Sequence, residues 1–457
     1  MTETVNSASR VTYHAARAIH HATRQLLSTI SELAALTTLA TLAWQRNWPL
    51  DLPGFDTASV PFPHNLPAAR LVELTAIATI MAYALSGWPN LKRLTQGMRR
   101  MFTVSLIGLW LITALSPLWA MHRGLAVVHA AHTTIWVAFA LMIACSDWSA
   151  ARMAAFFLGG LLIHVAVGLM QVVLQHFVGL GPRLGELPVR PQDNWVSVVF
   201  NGPVRWLRVY GLSGHPNVLG GHLAVGSILT YGLVITWPKV WRALIVIAWT
   251  LIWVLLLLTF SRSAWLALFM GGLTATILMV RGRNLDRRAI IAAITLLILA
   301  VMIALIFIMI FLPFLINRVD TVGNSYETFS INERSAMINW AVQLIVEHPL
   351  TGIGAANYGV AVRTFLGYPL DWVHNVPLLI GSELGLPGLF MFTLMIGSIA
   401  AIGVRRWRTR SISMWPALLG GTLVGLMTIM LFDHYLWTAP QGTLLWAWLS
   451  GWWMREQ

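Results

Sequence analysis

The chain is long, apolar and basic, and these properties limit what it can do. Of its 457 residues, 57% are hydrophobic and only 10% are charged, and the mean hydropathy is +0.70. This composition is typical of an integral membrane protein and excludes an ordinary soluble domain. The net charge of +13 lies largely in short loops between apolar runs, which favours anionic lipid headgroups over nucleic acid as partner. The single cysteine, Cys145, can form neither an internal disulfide nor a thiolate metal cluster.

We expect no removable signal peptide at the N-terminus. It is polar through about Ser28, and no small-residue cleavage site follows a short apolar core. The sequence shows no internal repeat and no soluble segment large enough to fold alone, so we expect residues 1–457 to form a single membrane domain.

Apolar runs near the ~20 residues that a spanning helix needs occur about twelve times. They lie near residues 27–46, 67–87, 101–120, 124–146, 153–178, 217–237, 240–260, 263–280, 289–316, 375–403, 414–433 and 437–453. We therefore expect an all-α polytopic membrane protein with about twelve transmembrane helices.

Clusters of positive charge predict how these helices are oriented. Three loops are rich in arginine or lysine: Lys92, Arg93, Arg99 and Arg100; Arg281, Arg283, Arg287 and Arg288; and Arg405, Arg406, Arg408 and Arg410. With twelve helices, all three loops and both termini fall on one side, which the positive-inside rule assigns to the cytoplasm. Two longer loops, about 179–216 and 317–374, then lie on the other side.

The second long loop is predicted to contain a helix. Asn332 can cap a helix from Glu333 to Val346, which His348 and Pro349 would end. Its apolar residues recur at helical spacing: Met337, Trp340, Ala341, Leu344 and Ile345. Such a helix would lie along the membrane surface or cover a cavity.

Three arginines are predicted on the side of the long loops, where topology disfavours positive charge. Arg208 precedes the sixth apolar run, Arg262 occupies the short connection Phe260-Ser261-Arg262-Ser263, and Arg334 begins the predicted loop helix. Arg208 lies beside a helix N-terminus, which attracts anions. Arg262 could simply end a helix and snorkel, but its flanking serines let a substrate approach. At Arg334 the start of a helix would normally favour an acid, and such a local conflict is expected at a functional site. His215 and Asn217 follow Arg208, and turn geometry alone would explain them equally well.

The segment from Asp371 to Gly385 places a histidine where a polar loop enters an apolar run. Asn375 directly follows His374 and Asp371 precedes it by three residues, so a neighbour could fix the imidazole tautomer and the ring could accept a hydroxyl proton. Glu383 would lie about 13 Å deeper along a straight helix. It is therefore expected to brace the fold rather than to pair with His374.

Other polar residues suggest no second centre. His129, His132 and His164 lie on apolar helices with no acidic partner nearby in sequence, so we expect structural roles for them. No DxD, HExxH, GxSxG or Walker pattern occurs. Arginine is then the residue available to offset the charge of a diphosphate leaving group, and we expect a transfer that needs neither a metal nor another cofactor.

Four segments, in this order, resemble the O-antigen ligase superfamily, which includes O-antigen polymerases and bacterial protein O-oligosaccharyltransferases. They are RVYGLSGHPNVLGGHLA at 208–224, FSRSAWLAL at 260–268, NERSAMINWAVQLIVEHPLTGIGAANYG at 332–359 and HNVPLLIGSELGLPG at 374–388. The resemblance covers residues 205–405 and leaves the first five helices without a recognised pattern.

The resemblance implies an inverting glycosyltransferase of the bacterial inner membrane with a GT-C-like fold and a periplasmic active site. It would move a glycan from undecaprenyl diphosphate to lipid A-core. Carried over by position, the catalytic base falls on His374 and the diphosphate-binding arginines on Arg208, Arg262 and Arg334. From the residues themselves we expect supporting roles for His215, Asn217, Asn375 and Glu383.

The resemblance leaves the acceptor open. A polymerase would use a second lipid-linked glycan and a protein transferase a serine, with the same arginines and histidine. The modest loop after residue 317 and the lack of an added periplasmic domain favour the ligase. A transporter that binds the lipid diphosphate without chemistry would explain the arginines but gives no reason for His374 and Asn375.

Overall fold

Helices dominate the chain in the computed structural model, which describes residues 2–53, 55–57, 66–87, 91–283, 286–319, 325–366 and 372–455. The helices are α1 (Thr2–Ala40), α2 (Leu71–Ser86), α3 (Gly97–Leu115), α4 (Arg123–Cys145), α5 (Ala150–Leu174), α6 (Pro216–Thr236), α7 (Arg242–Leu258), α8 (Arg262–Arg281), α9 (Arg287–Val319), α10 (Ser325–Glu347), α11 (Tyr358–Leu366), α12 (Val376–Thr409), α13 (Met414–Met430), α14 (Tyr435–Thr438) and α15 (Pro440–Arg455). The predicted all-α class is confirmed.

The described residues also form two small antiparallel two-stranded sheets, which were not predicted. Strands β1 (Asn47–Pro49) and β2 (Ala68–Arg70) pair with Asn47 opposite Arg70, and β3 (Val198–Asn201) pairs with β4 (Val204–Leu207). The second hairpin occupies the predicted first long loop. Gly202, in its turn, has a φ of +56°, a conformation that glycine adopts at little cost.

Each of the twelve predicted apolar runs overlaps a helix. Among the described residues, eight helices are long and apolar enough to cross a membrane: α3 to α9 and α12. Helices α2 and α13 are apolar but shorter, and the first and last predicted runs, on α1 and α15, fall in neither group. The protein is therefore a polytopic membrane protein, while the count of twelve spans stays a prediction.

The three basic loops lie at one end of the helix bundle. Arg281, at the end of α8, donates to the carbonyl of Trp407 near the end of α12. Arg406, next to Trp407 in sequence, lies over the ring of Trp453 on α15. Arg99 on α3 donates to the carbonyl of Met454, also on α15. These contacts support the predicted common side for the basic loops.

The helix of the second long loop begins earlier than predicted. It starts at Ser325 rather than at Glu333 and ends at Glu347, immediately before His348 and Pro349, as expected. Arg334 therefore lies inside α10, where the argument from a helix N-terminus does not apply. Of the apolar residues at helical spacing, Met337, Ala341 and Leu344 are buried.

Small residues bring α13 against α8. A Cβ atom added at Gly421 would lie 2.4 Å from the carbonyl oxygen of Gly271, and one at Gly425 would lie 2.8 Å from that of Ala267. Such close backbone approach is how apolar helices associate where lipid offers no hydrophobic gain. The packing fixes the end of α13, from which the chain continues to the candidate site.

Candidate functional site

A cavity of about 720 Å³ lies among the ends of α6, α12 and α13 and is also lined by residues of α4. Its wall includes His215, Asn217, His374 and Glu383, four of the predicted site residues, together with Asp433. The volume is within the range of pockets that hold a ligand of several rings. Residues far apart in the sequence thus share one cavity.

The segment before α6 is positioned by buried hydrogen bonds. The side-chain oxygen of Gln171 on α5 accepts from the backbone N–H groups of Tyr210 and Gly211, at 3.2 and 2.9 Å. Gly211 has a φ of +58°, and a Cβ there would approach His164. The glycine in this segment therefore serves close packing, and the path of the chain directs Arg208 and His215 toward the start of α6.

His215 and Asn217 begin α6. The Nδ1 atom of His215 accepts from the backbone N–H of Asn217 at 3.1 Å, and its Nε2 atom lies 2.9 Å from the hydroxyl of Ser197. Because Nδ1 accepts, Nε2 carries the proton in the neutral ring and donates to Ser197. His215 is thus both the cap of α6 and part of the cavity wall.

Asn217 links Arg208 to a carboxylate that was not predicted. Its Oδ1 accepts from Nη2 of Arg208 at 2.6 Å, and its Nδ2 donates to Oδ2 of Asp433 at 2.7 Å. Arg208 and Asp433 are 7% and 3% exposed. Opposite charges that are buried this deeply need hydrogen-bonded partners, and the amide of Asn217 supplies one to each.

Asp433 lies beside His374. Its Oδ1 is 3.8 Å from Nδ1 of His374, which has no hydrogen-bond partner among the described residues. This distance exceeds a hydrogen bond, yet short movements on substrate binding commonly tighten such contacts. The ring of His434 packs 5.1 Å from that of His374, centroid to centroid.

The charge of Asp433 persists despite its burial. This residue lies between α13 and α14, outside the membrane-spanning segments. Burial raises the pKa of its carboxyl group, but the neighbouring imidazoles of His374, His434 and His215 outweigh burial and hold that pKa below its usual range. A carboxylate next to Nδ1 favours the tautomer with the proton on Nδ1, which leaves Nε2 of His374 able to accept a proton.

Two contacts from α12 hold the segment that carries Asp433. Asn375 caps α12, since its Oδ1 accepts from the N–H of Leu378, and its Nδ2 donates to the carbonyl of Leu431. Glu383 accepts from the indole N–H of Trp437 at 3.1 Å and from the N–H of Tyr358 at 3.4 Å. Both residues therefore contact the segment that carries Asp433, and their supporting roles stay a prediction.

Glycines let the Asp433 segment approach α6. A Cβ atom at Gly221 would lie 1.9 Å from the hydroxyl of Tyr435, and one at Gly220 would lie 2.9 Å from Cβ of Ala264 on α8. The adjacent glycines of the segment 208–224 thus allow this close packing. Without them, α14 and α8 could not pack so closely on α6.

Arg262 and Arg334 lie apart from this cavity. Arg262 is exposed at the start of α8 and donates to the carbonyl of Arg318 at 3.2 Å. Its turn is nevertheless in contact with Arg208, because Nε of Arg208 donates to the carbonyl of Thr259, three residues before Arg262. Arg334 is half-buried on α10, and no described contact joins it to His374 or to Arg208.

The structure also bears on three further histidines and on Asp371, which were considered from the sequence. His132 has an acidic partner that is distant in sequence, because its Nδ1 lies 2.6 Å from Oε1 of Glu73 on α2. His129 and His132 both line the cavity. His164 is structural as predicted, since its Nδ1 accepts from the N–H of Leu212. Asp371, considered as a partner of His374, lies outside the described residues.

Asp433 is the functional candidate that sequence reasoning missed. It is far from His374 in sequence and belongs to none of the four recognised segments. One signal was available: Asp433 is the only acidic residue between Glu383 and Glu456, and an acid between two apolar runs is unusual.

Comparison with known proteins agrees with the resemblance drawn from the sequence. No curated protein matches the chain. Residues 246–393 match a family model described as O-Antigen ligase. The matched region includes Arg262, Arg334 and His374, whereas Arg208 and Asp433 lie outside it and are joined to His374 by the contacts above. The match confirms that this polytopic membrane protein resembles the O-antigen ligase superfamily.

Proposed function

We propose that the protein is an inverting, metal-independent glycosyltransferase that moves O-antigen glycan from undecaprenyl diphosphate to lipid A-core. The observation that carries the proposal is the buried path from His374 through Asp433 and Asn217 to Arg208, on the wall of a cavity in a membrane protein. The path supports the proposal because it links the candidate proton acceptor to a candidate anion-binding group, in a chain whose residues 246–393 match a family model described as O-Antigen ligase.

His374 is proposed as the general base. Its Nε2 atom takes the proton of the acceptor hydroxyl while the hydroxyl oxygen attacks the anomeric carbon. Asp433 acts as a positioning residue that orients the ring and stabilises the imidazolium that forms. A positioned base of this kind typically contributes roughly 10²- to 10⁴-fold to the rate.

The donor diphosphate is proposed to lie near the turn that joins α7 to α8. Arg208 bonds to the carbonyl of Thr259 in this turn, and Arg262 is the first residue of α8. The positive end of the α8 helix dipole adds to the attraction for an anion. Arg334 would reach the same phosphate if α10 moves when the lipid donor binds.

A single displacement accounts for the inversion. The bond between the acceptor oxygen and the anomeric carbon forms as the bond from that carbon to the diphosphate oxygen breaks, and undecaprenyl diphosphate leaves with the electron pair. Glu383 and Asp433 are the carboxylates of the described cavity wall, and both are already engaged by protein donors. Neither is placed as a second nucleophile, which supports direct attack by the acceptor.

The membrane orientation is part of the proposal. The positive-inside rule assigns the end of the bundle with the three basic loops to the cytoplasm. The cavity lies at helix ends away from Arg281, Trp407 and Arg99, and it would face the periplasm of the bacterial inner membrane. Lipid-linked glycan and lipid A-core would reach it from the outer leaflet.

The lipopolysaccharide of a deletion strain tests the function and separates the candidate acceptors. Loss of the polymer-capped lipopolysaccharide, with lipid-linked polymer still accumulating, is the result expected of a ligase. Capping by one repeat unit would instead indicate a polymerase, and normal lipopolysaccharide with an unglycosylated protein would indicate a protein transferase. Restored capping by the wild-type chain, but not by His374→Ala, would separate chemistry from simple transport of the carrier.

A further inference from the structure

The first half of the chain contributes a second polar group to the wall of the same cavity. Asn47 on β1 pairs with Arg70 on β2, and His129 and His132 lie one turn apart on α4. All four residues line the cavity that contains His374. These elements lie outside the family match at 246–393, and neither the base nor the diphosphate site uses them.

Two residues of this polar group, Arg70 and His132, are held in place by Glu73. Glu73 on α2 accepts from Nη1 of Arg70 at 3.3 Å, and its other oxygen lies 2.6 Å from Nδ1 of His132. The Nε2 atom of His132 lies 2.9 Å from the hydroxyl of Thr443 on α15. Glu73 thus balances the charge of Arg70 and fixes both neighbours, while Arg70 keeps further N–H donors in its five-donor guanidinium.

Two buried polar atoms on this wall lack a hydrogen-bond partner among the described residues. They are Nε2 of His129, a residue only 7% exposed, and Oδ1 of Asn47. The ring of His129 is held between Trp437 and His132, with centroid distances of 5.2 and 5.9 Å. A buried polar atom without a partner costs stability, so both atoms are suited to a ligand that supplies the missing bonds.

The chemistry of the wall favours a hydroxyl-rich ligand over an anion. The positive charge of Arg70 is offset by Glu73, so the group carries little excess charge for a phosphate. A neutral imidazole nitrogen and an amide oxygen instead match hydroxyl groups, each of which donates one hydrogen bond and accepts others. The cavity of about 720 Å³ also has room for more than the reacting atoms.

We propose that Asn47, Arg70 and His129 form a saccharide subsite that binds a sugar ring beside the reacting centre. The inference rests on the proposed function, because it identifies the region that orients one of the two glycans. It also gives the first helices a role that the family match does not supply. The sugar belongs either to the donor glycan or to the core acceptor, and binding measurements distinguish the two.

The test uses His129→Phe and Asn47→Leu, which remove the unpartnered atoms at similar volume. Each is also placed in a His374→Ala background, where donor and acceptor bind without turnover. Dissociation constants for undecaprenyl diphosphate-linked O-antigen and for lipid A-core are measured by tryptophan fluorescence of the purified protein. His222→Phe is the matched control, because His222 is buried on α6 against Phe157 and outside the lining of the cavity.

Each variant should weaken binding of one substrate about 10- to 100-fold, as loss of a buried hydrogen bond predicts. Thermal stability in detergent should stay equal or rise, because the removed atoms bond to no described residue. With His374 intact, KM for the same substrate should rise while kcat stays within roughly threefold. Weaker donor binding assigns the subsite to the donor glycan, and weaker acceptor binding assigns it to the core sugar.

Two results would overturn the subsite: unchanged dissociation constants for both substrates in both variants, or an equal loss in His222→Phe. If the wild-type protein transferred no glycan but the variants still lost binding, the proposed function would fail and the subsite would stand. If transfer by the wild type were normal and binding were unchanged in the variants, only the subsite would fail.

Discussion

The two ends of the candidate site differ in how completely the protein holds them. Around His374, the carboxylate of Asp433 is buried and bonded to Asn217, which in turn bonds to Arg208. Arg262, by contrast, is exposed and bonds to a backbone carbonyl, and Arg334 is half-buried on a separate helix. If the proposed roles are right, the protein fixes the proton-accepting end in advance and leaves much of the phosphate-binding end to be organised by the donor.

This difference follows from what each end must do. A base works only when its ring is oriented to within a fraction of an ångström, and misplacement by 1 Å can cost roughly 10²-fold. A lipid-linked diphosphate must enter and leave from the membrane, so an arginine that closes over it afterwards imposes no barrier to entry. The fixed and adaptable ends should therefore respond differently to substitution.

The largest expected effect is an all-or-none difference in the activity of topology reporters. It tests on which side of the membrane the candidate site lies. A topology reporter fused after Arg288 should be active only in the cytoplasm, and one fused near Tyr358 only in the periplasm. The reason is that Arg288 lies in one of the three basic loops, whereas Tyr358 bonds to Glu383 near the cavity. The opposite pattern would show that the positive-inside assignment is reversed.

His374→Ala should cause the largest loss of turnover among point substitutions, roughly 10²- to 10⁴-fold, because it removes the proposed proton acceptor. Membrane insertion and donor binding should remain, since His374 is in a loop and its Nδ1 bonds to no described residue. Transfer is measured with purified enzyme and defined substrates, and His348→Ala, an exposed loop histidine, is the control. Near-normal transfer by a properly inserted His374→Ala protein would exclude this role.

Arg208→Lys and Arg262→Lys test whether geometry or charge alone binds the diphosphate. Lysine keeps the charge but lacks the planar fork that bonds to two oxygens. For the buried Arg208, loss of a charged contact typically costs about 2 to 5 kcal/mol, or roughly 30- to 3,000-fold in rate or donor binding. We expect Arg208→Lys to be the more severe, because it also breaks the bonds to Asn217 and Thr259.

Arg183 and Arg190 provide the controls for these arginines. Both are exposed in the first long loop, and Arg190 packs on the ring of Phe177. Lysine at either position should leave transfer near the wild-type rate. If Arg208→Lys and Arg262→Lys also transferred glycan at that rate, the diphosphate site would have to lie elsewhere.

Much of the fold could be predicted because a bilayer imposes a simple length on apolar helices. Each predicted run overlaps a helix, and the end of α10 at Glu347 was predicted from His348 and Pro349. The start of α10 was wrong by eight residues because the polar stretch after Ser325 carries no apolar periodicity. The β3–β4 hairpin was missed because its strands are only four residues long.

The candidate site was predictable where function imposed a local pattern and not where it depended on tertiary contacts. His374, Asn375, Arg208 and Asn217 stand out as polar residues at the ends of apolar runs. Asp433 does not, because its partners His374 and Asn217 come from distant helices. The contact between α2 and α4 was missed for the same reason, since Glu73 on α2 approaches His132 on α4 only in the folded bundle.

Asp433→Asn should have a smaller effect than loss of the base, up to roughly 10²-fold in kcat, because it disturbs the orientation of His374 without removing it. It also removes the anion nearest the imidazolium, so the acidic limb of the pH–rate profile should move to lower pH. The pKa of Asp433 lies below its usual range, so the wild-type carboxylate remains charged across that limb. Asp147→Asn is the control, because Asp147 is 80% exposed and pairs with Arg93. A pH profile identical to that of the wild type would show that Asp433 has no contact with the titrating base.

The smallest expected effect is that of metal removal. This experiment tests whether His374 acts as a general base or as a metal ligand. Ligand atoms of His374, Asp433 and His434 lie within 4.8 Å of one another, close enough to hold a metal ion. However, the two oxygens of Asp433 already accept from Asn217 and from the N–H of His434, and Nδ1 of His434 lies 2.8 Å from the hydroxyl of Thr438. A metal would have to displace these bonds, so we expect chelator-treated enzyme to transfer glycan at the untreated rate. If chelation abolished activity and added Zn²⁺ or Mg²⁺ restored it, His374 would belong to a metal centre and would not act as a general base.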